Sequence, residues 1–173
     1  MTSIGLQSTD CILAASLLLL LPVNKKTFER LHSVATKEDR LGDMLSRAKA
    51  EIVAGGRFRS PECLALLHKK DPGGFRLSLK QSAANGKIFS IEHHGQPLYP
   101  DFAFSDKEGG LLLPCLAEVI TALNTTNDAW GLAFWFRTPN NFLQGKRPED
   151  LLLQAPEIVL RAAFEACNGI MHG

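Results

Sequence analysis

The chain has 173 residues, a formal net charge of +1, 45% hydrophobic and 21% charged residues. This balance excludes a wholly disordered polymer and supplies material for a core. The length fits one ordinary domain or two small ones, and four cysteines are too few for a disulfide-built scaffold.

The charge is unevenly spread. Residues 1–43 carry five basic and five acidic side chains, residues 44–100 nine basic and four acidic, and residues 101–173 five basic and nine acidic. A basic middle and an acidic end predict two surfaces with different partners, or an unevenly decorated solvated surface.

The most apolar run is Cys11 to Leu21, followed by Pro22 and Val23. Residues 1–10 hold none of the Lys or Arg that a secretory leader requires at its start, and the run is shorter than the roughly 20 apolar residues of a membrane span. It predicts a short helix capped by Thr9 or Asp10, buried in a core or against another chain. A second helix is expected over Lys25–Val34, with Phe28 and Leu31 on one face. A third is expected over Asp39–Val53, with Leu41, Met44, Leu45, Ala48 and Ile52 at helical spacing, ended by Gly55-Gly56.

Ser60-Pro61-Glu62 is a helix start, with a cap, a Pro suited to the first position and an acid suited to the dipole. That helix runs through Leu64, Ala65, Leu67 and His68 to about Lys70, where Asp71-Pro72-Gly73-Gly74 is expected to break it. Ser78 then opens a short helix over Leu79–Ala84, stopped at Asn85-Gly86. Two short helices on a tight connection resemble a helix-turn-helix. Lys87–Ile91, a turn at His93-His94-Gly95 and an extended Leu98–Phe104 predict a hairpin or wing beside it. On this reading Arg76, Ser78, Lys80, Gln81 and Lys87 face DNA, with Arg57, Arg59, Lys69 and Lys70 adding general attraction. The alternative is a helical hairpin whose basic face is merely solvated.

Pro114 opens a helix with Leu116, Val119, Ile120 and Leu123 on one stripe. Asp128 caps Ala129–Arg137, whose Trp130, Leu132, Ala133, Phe134, Trp135 and Phe136 cover most of its circumference. Thr138-Pro139-Asn140-Asn141 breaks it, and Phe142, Leu143 and Gly145 form a turn. Pro148-Glu149-Asp150 starts a short helix bearing Leu151 and Leu152. Ala155-Pro156-Glu157 starts the last helix, with Val159, Leu160, Ala163, Phe164 and Cys167 expected inward.

The order Trp130, Phe136-Arg137-Thr138-Pro139-Asn140, Leu143, Gly145, Arg147-Pro148, Leu151-Leu152, and Val159 with Ala162-Ala163 resembles the toxin-binding domain of Xre/MbcA/ParS-like antitoxins. Leu98-Tyr99-Pro100 and Phe102-Ala103-Phe104 look like the hairpin leading into it. The resemblance covers about residues 60–167. It implies a bacterial, cytoplasmic, mainly helical type II antitoxin that often dimerises, pairs a DNA-binding part with a toxin-covering part, and represses its own promoter. The toxin implied is RES-like, an NAD-consuming enzyme. Trp130, Leu143, Gly145, Pro148, Leu151 and Leu152 are explained by turns and packing. Asn140, Asn141, Phe142, Gln144, Lys146 and Arg147 are free to touch the toxin, Arg147 and Lys146 toward acidic groups and Phe142 as an apolar anchor, or to form a solvated turn.

No catalytic constellation is legible. Cys11, Cys63, Cys115 and Cys167 have no metal-site spacing and are expected to be small core residues in a reducing cytoplasm. His93 and His94 are expected on opposite faces, which disfavours a shared metal. Gly55-Gly56, Gly73-Gly74 and Gly109-Gly110 lack the Lys and Ser/Thr of a phosphate loop. Glu149-Asp150 is explained by dipole complementarity at a helix start. The fold expected is mainly α, a helical bundle with a helix-turn-helix-like middle and one small β-hairpin, organised as 1–56, 57–104 and 105–173. The function expected is a non-enzymatic antitoxin without cofactor, metal or membrane contact. The alternative is a stand-alone DNA-binding regulator or oligomeric scaffold.

Overall fold

A computed structural model describes residues 25–105, 109–123 and 128–170 of the chain. The helix predicted over Cys11–Leu21 lies outside them. The chain divides into two compact units, residues 1–46 and 47–173. The fold is mainly α with a small antiparallel sheet.

Helix α1 spans Lys25–Ala54 without interruption. It corrects the expectation of two helices broken between Val34 and Asp39: Ala35-Thr36-Lys37-Glu38 contains no Gly or Pro, so nothing stops propagation. In the first unit α1 leaves Leu41, Met44 and Leu45 exposed.

The second unit holds the other elements. Strand β1 (Phe58–Arg59) precedes α2 (Pro61–Leu67), where the Ser60 hydroxyl accepts from the Cys63 amide. Helix α3 (Pro72–Ala84) corrects the expected start at Ser78. Asp71 Oδ2 accepts from the Gly74 amide at 2.7 Å and Pro72 takes the first position, so the residues read as a stop are a start. Strands β2 (Ile91–His93) and β3 (Gln96–Pro100) form the hairpin, with Ile91 opposite Leu98 and His93 opposite Gln96. Only Ile91 of the predicted Lys87–Ile91 strand joins the ladder, although Ile88 and Phe89 are buried. The extended run predicted over Leu98–Phe104 is interrupted by a 3-10 turn, Asp101–Ala103. Strand β1 pairs with the other edge of β3, Phe58 opposite Pro100. Strands β4 (Phe104–Ser105) and β5 (Leu111–Leu112) form a separate pair.

Helices α4 (Pro114–Leu123), α5 (Ala129–Arg137), α6 (Pro148–Leu151) and α7 (Pro156–Ile170) complete the unit. The Asp128 carboxylate accepts from the Gly131 amide at 2.7 Å, capping α5 as its sequence predicts. Helix α4 buries Leu116, Val119, Ile120 and Leu123, and α7 buries Val159, Ala162 and Ala163. Phe164 is 52% exposed, not inward: it falls one step around the helix from that stripe. Cys63 is exposed on α2, correcting its expected core place, while Cys115 and Cys167 are half-buried.

One hydrophobic core runs from Ile52 and Phe58 to Val159 and Ala163. Its hub is Phe136, with Phe89, Phe102 and Trp135 ring centroids 5.8, 5.1 and 5.0 Å away. Through Phe136, α5 is set against the residues that flank the sheet, Phe89 before β2 and Phe102 after β3.

Candidate functional site

The segment after α5 is a closed corner. The Asn140 amide donates to the Lys146 carbonyl at 3.0 Å, and the Asn140 side chain accepts from the Phe142 amide at 2.8 Å. Gln144 (φ 58) and Gly145 (φ 78) both adopt left-handed backbone, which closes the chain on itself. Leu143, 3% exposed, and buried Pro148 anchor the corner from below. This arrangement presents Asn141, Phe142, Gln144, Lys146 and Arg147 to solvent, with Asn140 half-buried. All six residues predicted for toxin contact therefore share one surface feature.

Directly behind the corner lies a charged cluster. Glu149 is the second residue of α6, with its side chain only 1% exposed. Arg137 Nη1 donates to its Oε1 at 2.6 Å, Arg147 Nη1 lies 3.8 Å from the same oxygen, and Arg57 Nε lies 3.7 Å from Oε2. Arg57 also meets Asp101 at 3.1 Å, and Arg59 Nε donates to Asp101 Oδ2 at 3.1 Å. Burial raises the Glu149 carboxyl above the usual carboxylate range, opposed by Arg137 and Arg57. Gly55 serves this cluster too: a Cβ there would run into the Arg137 guanidinium. A cleft of about 410 Å³ opens beside it, lined by Arg57, Leu67, Asp101, Glu149, Asp150 and Leu153 among others.

The residues predicted for DNA are all exposed, and three of them line two different grooves. Arg76 and Lys80, one turn apart on α3, line a groove with Pro61, Gln96, Pro97 and Tyr99. Arg76 also pairs with Glu62. Ser78 lines a different groove, with Lys70, Phe75, Ser82 and Leu111. Gln81 and Lys87 line neither.

No family model matches the chain, and no curated protein or solved structure matches it.

The His93 and His94 rings lie 4.0 Å apart, correcting the expectation of opposite faces, because His94 (φ 50) leaves the strand alternation. Among the described residues, no cluster of three or more His, Cys, Asp or Glu is placed to hold a metal. No helix among them is long and apolar enough to cross a membrane. Sequence reasoning missed Arg57, Arg59, Asp101, Arg137 and Glu149 as one cluster. The only local signal was Glu149 beside Asp150 after Pro148, which a helix start explains without any partner.

Proposed function

We propose that this chain is a non-enzymatic antitoxin whose 140–147 corner binds and neutralises a cognate RES-like toxin. The observation that carries the reading is the corner itself. An aromatic residue, Phe142, is 50% exposed at the tip of a turn braced by the Asn140–Lys146 pairing and the buried Glu149 cluster. A rigid turn with an exposed aromatic anchor and flanking basic side chains has the make-up of a protein-binding surface, since its ordering cost is met within the fold. The resemblance of residues 60–167 to antitoxin toxin-binding domains supports the same reading.

Co-expression with the neighbouring toxin gene product tests it. A stable complex that Phe142→Ala weakens by about tenfold or more is expected; failure of two folded proteins to co-purify refutes it. Promoter DNA is the second proposed partner, through Arg76 and Lys80 on α3. Binding should fall steeply with salt and weaken in Lys80→Glu. Absence of binding at low salt removes this part and leaves the toxin part standing.

A second reading, an oligomeric scaffold, is favoured by α1. Leu41, Met44 and Leu45 sit on one face at 65%, 68% and 46% exposure, as in a helix that pairs with another. A homodimer is compatible with both readings. Persistent self-association with no toxin complex would favour the scaffold.

A further inference from the structure

We propose that Arg59, Arg57 and Arg147 form a pre-set recognition row for an acidic segment of a partner protein. The inference rests on the reading of the 140–147 corner as a partner-binding surface and names what the partner presents there. The three side chains are 44%, 38% and 47% exposed, whereas the carboxylates that hold them, Asp101 and Glu149, are 9% and 1% exposed. The acids lie inside and the guanidinium groups face out.

Two carboxylates stand against four arginines in this cluster, so two positive charges are left without an acidic counterpart in it. Arg137, 14% exposed, is turned inward. The excess is therefore displayed by the three outer arginines. Each guanidinium offers five N–H donors in a fixed fork, and the contacts to Asp101 and Glu149 occupy only part of that capacity. Arg57 spans both acids, 3.1 Å from Asp101 and 3.7 Å from Glu149, which ties Arg59 to Arg147 through two shared carboxylates. Arg59 is hydrogen-bonded to Asp101, whereas Arg57 and Arg147 are drawn toward the acids by charge without a hydrogen bond; side chains confined in these ways lose less freedom when a ligand arrives.

The surroundings select the class of partner. Leu67 and Leu153, 54% and 51% exposed, line the cleft beside Arg57, and Phe142 stands on the corner next to Arg147. Carboxylates set between apolar side chains match this mixture. A phosphodiester backbone has no apolar side chains to set against Leu67 and Leu153.

The test uses the full chain and a labelled short peptide alternating Glu and Leu, with a short DNA duplex in parallel. Arg59→Gln/Arg147→Gln removes the two ends of the row and leaves Arg57 to hold the acids. Peptide affinity is expected to fall about tenfold or more, with Arg161→Gln, an exposed position on α7, unchanged within about twofold. Arg59→Lys/Arg147→Lys should fall in between, since charge is kept and the fork lost, and it serves as the test if the glutamine variant unfolds. No peptide binding by the wild type, unchanged binding by the variants, or an equal loss of duplex binding would overturn the proposal. A toxin complex indifferent to Arg59 and Arg147 defeats the row but not the antitoxin reading. Arginine-dependent peptide binding with no toxin complex does the reverse.

Discussion

Arg137 and Glu149 clamp the two ends of the corner: Arg137 is the last residue of α5, Glu149 lies in the first turn of α6, and Nη1 meets Oε1 at 2.6 Å. This buried contact, with Leu143 and Pro148 beneath the turn, supports everything offered to a partner between them. Removing Arg137 strands a carboxylate that is 1% exposed. Arg137→Met should cost about 3 kcal/mol or more of unfolding free energy, and Arg137→Met/Glu149→Leu should recover most of it. Urea unfolding of the two variants measures this. A single variant as stable as wild type would show that Arg57 and Arg147 suffice.

The pH dependence follows from the same residue. Burial holds the folded Glu149 carboxyl above its ordinary range, so the folded state binds that proton more tightly than the unfolded chain. Its contribution is therefore fully present below the ordinary carboxylate value and is lost as pH rises through the raised one. Relative to wild type, Glu149→Gln should gain stability as pH goes from about 4 to about 7. Unfolding titrations of both proteins check the sign; a difference running the other way would mean that the arginines outweigh burial.

Gly55 is fixed by space rather than by backbone conformation. A methyl group there would collide with the Arg137 guanidinium, and Gly55→Ala should destabilise by about 1–3 kcal/mol. The cost should shrink in an Arg137→Met background, because the group that was struck has gone. A double-mutant cycle by thermal unfolding reads this coupling.

Asn140 and Phe142 should separate stability from binding. Asn140→Ala leaves the Phe142 amide without its side-chain acceptor and is expected to cost about 1 kcal/mol. Phe142→Ala changes an exposed residue, so stability should stay within about 0.5 kcal/mol while toxin complex formation weakens. Calorimetry and co-purification of the two variants distinguish the roles.

Much of the fold is written in local punctuation. Ser60 and Asp128 cap the helices their positions predict, and Pro114, Pro148 and Pro156 each open one. The same grammar misleads at Asp71-Pro72-Gly73-Gly74, where cap, Pro and Gly can end one helix or begin the next. The β1–β3 pairing was not legible either, because two residues carry no periodicity. Asn141, Phe142, Gln144, Lys146 and Arg147 were legible as exposed because Pro, Asn and Gly mark a turn; the ion cluster behind them was not.

What this sequence settled alone is the helix starts at Ser60, Pro114, Asp128, Pro148 and Pro156 and the apolar stripe of α4, since caps, prolines and spacing act within a few residues. The tertiary structure decided that Glu149 is buried, that Arg57 reaches it from far along the chain, and that Phe164 stays outside. Burial and charge pairing depend on neighbours brought together by folding, and a single charged residue at a helix start reads the same whether it meets water or three arginines.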